Sequence, residues 1–378
     1  MGDQMNKSKV YEIKKLGQSI WYDNIRRGLI VSGELKRMID EDGICGITSN
    51  PTIFEKAITG SSDYDEDIIC LSGENKTAEE IYNDLTVKDI SMAADIFSDI
   101  YSDTGHNDGY ISIEVSPKYA YDTNATIMEA HRIKKEINRP NIMIKVPATD
   151  EGIPAIEQLT SEGININVTL IFSIKQYEKV ARAYIYGLKK LSENGGDLTG
   201  IRSVASIFVS RIDTYVDRLL EDKIAGENDG SEKEKLSRLK GKTAIVYVKQ
   251  IYQLSKQIFS EEDFMTLKAK GASVQRPLWA STGVKNPSYR DTMYIEELIG
   301  SGTVNTVPHA TLEAFRDHGI HGLNLEEDLD KSAEVLQSIR DAGIDMNTVC
   351  GKLQEEGVKA FDESFENLIN AIRRKGEK

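Results

Sequence analysis

Lys145 sits between Ile144 and Val146 in the apolar run NIMIKVPAT, residues 141–149. Apolar burial disfavours a charged amine and favours the neutral nucleophile, so a lysine in such a run is a candidate for imine formation with a ketone. A strand lysine is more often an edge residue or half of an ion pair. What raises this one above that reading is its company, because polar residues interrupt other apolar runs near their closing ends: Asp23, Asn50, Glu114, Asn167 with Thr169, Ser206 and Ser281. Each has an ordinary explanation. Asp23 and Asn50 suit helix caps, Thr169 a strand, Ser206 and Ser281 turns, and Glu114 a neutralising partner for Lys145. Together they meet the needs of carbonyl chemistry. An amine condensing with a ketone passes through a carbinolamine that must lose water, which requires an acid and a base nearby; Glu114 fits, acting through a water held by Thr169. Cleaving the carbon–carbon bond beside the imine requires a second base for the neighbouring hydroxyl, and Asp23 is the free carboxylate. Asn50, Asn167 and Ser206 offer neutral hydrogen bonds to sugar hydroxyls.

For these residues to meet, the elements that carry them must converge. Eight apolar runs alternate with helical patterns: 18–25, 44–51, 109–117, 141–149, 166–173, 201–210, 276–283 and 302–308. That alternation predicts an α/β fold, the (β/α)8 TIM barrel, in which the carboxyl ends of all strands share one mouth. No G-x-G-x-x-G follows the first run, which disfavours a doubly wound dinucleotide fold. Arg211 just past the sixth run, and Ser281 with Lys285 past the seventh, stand where barrels often hold a phosphate; a first-turn surface position is the plain alternative for Arg211.

The expected organisation is one domain over 1–378: a core of about 18–318, a helical insert after strand two at about 55–105, and a helical C-terminal tail at about 325–378. The stretch RRGLIVSGELKRMIDEDG is expected to form one helix closed by Gly43. The helix after strand three is expected to start on Asp122 or Thr123 and to bury Ala125, Met128, Ile133 and Ile137. Tyr184 and Tyr186 read as packing residues of the fifth helix.

A hydrophobic share of 39% with 29% charged residues is that of a folded globular enzyme. A net charge of -14 argues against nucleic acid and against an anionic membrane, but leaves room for a small anion held by two or three local cations. No run approaches the ~18 apolar residues that span a bilayer. The start, MGDQMNKSKV, shows no apolar signal core, and Asn6 stands where a myristoylation motif has Ser or Thr, so a cytoplasmic location is expected. Cys45, Cys70 and Cys350 lie far apart with no metal spacing, which fits free thiols and no metal; Cys45 reads as a small core residue. Gly241-Lys242-Thr243 lacks the glycine a P-loop requires at 236, where Leu236 stands. His318 and His321 suit a helix end better than a metal site.

GITSNPTIF (46–54), the block NIMIKVPATDEGIPAIEQL around Lys145, NVTLIFS and SIFVSRID resemble the sequence marks of the transaldolases, in order from about residue 18 to about 318. The resemblance implies a metal-free and cofactor-free barrel, of the longer bacterial branch, that moves a dihydroxyacetone unit from a ketose phosphate to an aldose phosphate in the pentose phosphate pathway. It implies Lys145 as the Schiff-base lysine, Asp23 as the cleavage base and Glu114 with Thr169 as the water-handling pair. Asn50, Asn167 and Ser206 would contact hydroxyls, and Arg211 and Ser281 the phosphate. Many members carry Ser-x-Arg in strand seven; this chain reads ASTGVKN, with Gly283 at the arginine position, and Lys285 is expected to supply the cation. Phe208 favours transfer over simple cleavage, since fructose-6-phosphate aldolases of the superfamily have tyrosine there. The rival readings are another Schiff-base phosphosugar aldolase and an inactive sugar-phosphate-binding barrel. Monomer and homodimer both remain open.

Overall fold

The computed structural model describes residues 7–377; the N-terminal reading that turns on Asn6 lies outside them. Eight parallel strands close into a barrel in chain order, β1 pairing with β8 through Ser19↔Val304 to Tyr22↔Val307. They are β1 (Ser19–Tyr22), β2 (Gly46–Thr48), β3 (Tyr110–Glu114), β4 (Ile142–Pro147), β5 (Ile166–Ile171), β6 (Ser203–Phe208), β7 (Gln275–Ala280) and β8 (Val304–Val307). Nearly every strand residue is buried, because helices cover the outer face while side chains fill the inner one, and this produces the near-continuous apolar runs. The fold is the (β/α)8 barrel that the alternation predicts.

Helix α1 (Lys9–Lys15) precedes the barrel, and α2 (Arg27–Val31) and α3 (Glu34–Asp42) follow β1. The single helix expected there is two, because Gly33 adopts φ +82 and breaks it; α3 ends on left-handed Gly43, as its sequence indicates. After β2 come α4 (Pro51–Thr59), α5 (Asp65–Gly73), α6 (Ala78–Ile96) and α7 (Ser98–Asp103), more helix than one crossover needs. Next, α8 (Thr123–Ile137), α9 (Gly152–Ser161) and α10 (Ile174–Glu193) follow β3, β4 and β5. Asp122 caps α8 by accepting from the Ala125 amide at 2.9 Å. The stripe expected on α8 is displaced: Met128 is 72% exposed and Thr126, Ile127 and Ala130 are buried with Ile133 and Ile137. Tyr184 of α10 is buried, whereas Tyr186 is 49% exposed and does not pack inside.

Behind β6 lie α11 (Ser210–Gly226), the exposed α12 (Gly230–Ser237), α13 (Thr243–Ile258) and α14 (Glu262–Lys268). The short α15 (Met293–Glu296) follows β7 and α16 (His309–His318) follows β8. The tail forms α17 (Leu329–Asp341), packed on α13, and the long α18 (Met346–Gly376), which packs on α4, α5 and α6. Among the described residues no helix is long and apolar enough to cross a membrane.

The amino-terminal end of the barrel is plugged by a buried polar cluster. Arg276 donates to Ser19 Oγ at 2.9 Å and Asp108 Oδ1 at 3.0 Å, and Trp21 Nε1 donates to the same Asp108 oxygen at 3.1 Å. A Cβ on Gly46 would come within 2.6 Å of the Trp21 ring, so only glycine lets β2 pass there. Asp108 also accepts from Ser19 Oγ at 2.7 Å, so the plug is tied across β1, β7 and the segment before β3 and holds the floor of the barrel.

Candidate active site

At the carboxyl ends of the strands is a cavity of about 460 Å³. Lys145 is the fourth residue of β4, only 4% exposed, and its Nζ reaches the cavity wall. Nζ donates to the Ser49 carbonyl at 2.9 Å and lies 3.6 Å from Glu114 Oε2. The second distance follows from register, since Glu114 is the last residue of β3 and pairs directly with Lys145. Burial pushes the Glu114 carboxyl above the ordinary carboxylate range, and the nearby Lys145 charge pulls it back. Glu114 does not line the main cavity; it borders a second one of about 260 Å³ between the end of β3 and helices α6 and α8.

Thr169 lies on β5, the strand on the other side of β4, and lines the main cavity fully buried. The β5–β6 register shifts between Val168 and Ile171, and Leu170 takes φ +58 within that irregularity. A bulge of this kind re-aims a side chain at the rim of a barrel. Glu114 Oε2 and Thr169 Oγ1 are both buried without a hydrogen-bond partner among the described residues. Each such atom costs about 1–3 kcal/mol unless water or a ligand satisfies it.

Asp23, just past β1, accepts from Thr48 Oγ1 at 2.7 Å, and Thr48 in turn meets Thr306 Oγ1 at 2.5 Å. Burial pushes the Asp23 carboxyl up, while the Thr48 hydrogen bond and the charges of Lys145 and Lys285 oppose that rise. Asn50 is the helix cap considered for it, its Oδ1 accepting from the Ile53 amide at 3.0 Å at the start of α4, and the residue also lines the cavity. Ser206 lines the cavity and donates to Asn167 Oδ1 at 2.7 Å, and Asn167 Nδ2 donates to Ser112 Oγ at 3.0 Å. Asn167 is therefore fully buried beneath Ser206 and is not part of the cavity wall. Its place in the strand is one residue behind the bulge that brings Thr169 forward.

Phe208 closes β6 and forms a wall, its ring 5.3 Å from that of Phe172. Arg211, on the first turn of α11, has its guanidinium 5.3 Å from the Phe208 ring and 6.0 Å from that of Phe361. Burial depresses it below the ordinary arginine value, and among the described residues it makes no hydrogen bond or ion pair. Ser281 stands just beyond β7 at φ +54, with its Oγ 3.0 Å from Ser210 Oγ. Lys285 is exposed at the cavity rim, and a Cβ on Gly283 would lie 3.9 Å from Lys285 Nζ. The lysine therefore folds back over the space in front of Gly283.

Sequence reasoning missed Thr48, Thr306, Arg26, Lys56 and Phe361, all of which line the cavity. Thr48 ends β2 and Thr306 is the penultimate residue of β8, so both stand near the closing ends of their strands as the other polar residues do, and the same rule would have found them. Phe361 carries no local signal, being one apolar residue on a helical stripe. The wall holds five cationic side chains and one carboxylate, Asp23, so the cavity attracts anions within a chain of net charge -14. Among the described residues no group of three or more His, Cys, Asp or Glu is arranged to hold a metal ion.

The family model described as Transaldolase/Fructose-6-phosphate aldolase matches residues 20–372. The chain is similar to a transaldolase of Trichodesmium erythraeum, 48% identical over 369 residues and 97% of each chain. It is 46% identical to a transaldolase 2 of Nostoc punctiforme over 374 residues, 98% of each chain. Similarity to a transaldolase of Neisseria gonorrhoeae is 44% over 358 residues, 95% of this chain and 97% of the other.

Proposed function

The chain belongs to the transaldolase/fructose-6-phosphate aldolase family and is a transaldolase enzyme; from that premise we propose that it moves a dihydroxyacetone unit between sugar phosphates through an imine on Lys145. The donor is sedoheptulose 7-phosphate or fructose 6-phosphate, and the acceptor glyceraldehyde 3-phosphate or erythrose 4-phosphate. The Lys145 amine attacks the ketose carbonyl to give a carbinolamine. Glu114, kept protonatable by burial, passes a proton through a Thr169-bound water to the hydroxyl, which departs as water and leaves the imine. Asp23 then takes the proton of the C4 hydroxyl. The C3–C4 bond breaks, its electron pair flows into the imine to form an enamine, and the aldose phosphate leaves. The same steps in reverse join the enamine to a new aldehyde, and water releases the product.

Asn50 and Ser206 hold the sugar hydroxyls, with Asn167 orienting Ser206 from below. Phe208 keeps water from the enamine, which favours transfer over cleavage. Arg211, Ser281 and Lys285 take the phosphate. The observation that carries this reading is the buried Lys145 amine 3.6 Å from a carboxylate oxygen that has no hydrogen-bond partner among the described residues.

Borohydride reduction with fructose 6-phosphate, followed by peptide mass analysis, is expected to place a three-carbon adduct on Lys145, and Lys145→Met to abolish it. An adduct on another lysine, or none, sinks the mechanism. Release of free dihydroxyacetone that is indifferent to added erythrose 4-phosphate would instead identify a simple aldolase.

A further inference from the structure

We infer that Phe361, on α18, is a positioning residue for Arg211, so that the C-terminal tail sets how strongly the site prefers phosphorylated sugars. This rests on the reading that Arg211 receives the phosphate. Arg211 extends from α11 with no hydrogen bond or ion pair among the described residues, so nothing polar fixes its plane. Two rings do: Phe208 from the barrel at 5.3 Å and Phe361 from the tail at 6.0 Å, their own centroids 6.5 Å apart at 64°. A guanidinium held by aromatic faces keeps its in-plane N–H donors available for a bidentate anion. A carboxylate partner would occupy those same donors.

The tail is built to deliver that ring. A Cβ on Gly357 would lie 2.9 Å from Leu170 Cδ2 and 3.5 Å from Arg211 Nη1, so the glycine lets α18 cross directly over the β5 bulge. On either side the helix is fastened to the barrel mouth. Gln354 Nε2 donates to the Ala148 carbonyl just past β4 at 2.6 Å, and Cys350 Sγ to the Phe172 carbonyl past β5 at 2.9 Å. Ser364 Oγ meets Thr52 Oγ1 on α4 at 2.8 Å. Phe361 itself is 5% exposed and lines the cavity.

The test compares Phe361→Leu, Phe361→Met and Phe361→Tyr with Arg211→Gln, using fructose 6-phosphate and unphosphorylated fructose as donors and inorganic phosphate as inhibitor. For Phe361→Leu and Phe361→Met, KM for fructose 6-phosphate and the inhibition constant for phosphate are expected to rise together, by about three- to tenfold from the loss of one cation–π face. The kcat and the kcat/KM for fructose should stay within about twofold, since binding in this picture is lost alike from ground and transition states. Phe361→Tyr, which keeps the face, should restore both constants. Equal losses for the two donors, or an unchanged phosphate constant, overturn the inference. Arg211→Gln separates the two claims: if it abolishes the preference for phosphorylated donor while the Phe361 variants leave it intact, only the positioning role falls. Should Arg211→Gln also leave the preference intact, the phosphate reading falls and takes the inference with it. Thermal melts of each variant exclude simple unfolding.

Discussion

Glu114 and Asp23 are both carboxyls raised by burial, and the mechanism proposed above gives them different steps in keeping with their different surroundings. Glu114 faces the amine across one register pair, whereas Asp23 is held by a threonine hydroxyl on the neighbouring strand. Replacing Glu114 by Gln keeps the shape and removes the proton, so imine formation is expected to slow by about 10²- to 10⁴-fold. Single-turnover borohydride trapping measures this. Asp23→Asn should behave differently: the imine forms but the C3–C4 bond holds, so mass analysis should find the intact six-carbon sugar on Lys145 instead of the three-carbon fragment. A three-carbon adduct in that variant would remove Asp23 from the cleavage step. These residues were legible in the sequence because a polar side chain interrupting a buried strand needs a reason. Asn167 obeyed the same rule yet lies under the cavity floor, because sequence gives the strand but not the depth within the barrel.

At the scale of elements, α11 ties together the side of the cavity that carries Arg211 and Lys285. Asp213 accepts from the Ala244 amide at 2.7 Å and the Tyr294 hydroxyl at 2.8 Å; Asp217 accepts from the Gly241 amide at 2.9 Å and the Tyr289 hydroxyl at 2.6 Å. The two tyrosines anchor the segment after β7 that carries Lys285. Gly241, at φ +69 with the Tyr289 ring where its Cβ would stand, turns the chain into α13, which is the structural role of the segment that only superficially resembled a phosphate loop. Burial pushes the Asp213 carboxyl up to about 7. A raised carboxyl stabilises the fold fully below its unfolded value near 4, and that contribution is lost as pH rises toward 7. The interval corresponds to roughly 4 kcal/mol at most. Urea unfolding at pH 5 and pH 8 should therefore show wild type losing more stability than Asp213→Asn, whose neutral amide does not titrate; equal losses would mean that Asp213 is charged throughout. Helix existence was legible at this scale, but phase and breaks were less so. Met128 sits on a helix with apolar residues on more than one face, and Gly33 marks its break only through a left-handed turn that the flanking pattern conceals.

Across the whole molecule, the insert and the tail form one buttress. Arg27 on α2 donates to Asp67 on α5 at 2.7 Å and pairs with fully buried Asp89 on α6, which also accepts from the Tyr64 hydroxyl at 2.8 Å. Removing one member of a buried pair leaves the other uncompensated, so Asp89→Ala is expected to cost about 3 kcal/mol or more, read from denaturant unfolding. The barrel was legible because strands covered on both faces must be apolar almost throughout. The buttress was not, since contacts such as that of Lys375 on α18 with Asp65 on α5 join residues of ordinary appearance from distant parts of the chain. It has a consequence for biosynthesis. Helix α18 lies C-terminal to every barrel strand, so a ribosome that has delivered all eight has not yet delivered the Phe361 wall. On the inference that Phe361 positions Arg211, a nascent chain holding a finished barrel would still grip sugar phosphates poorly, and full affinity would arrive only as α18 docks.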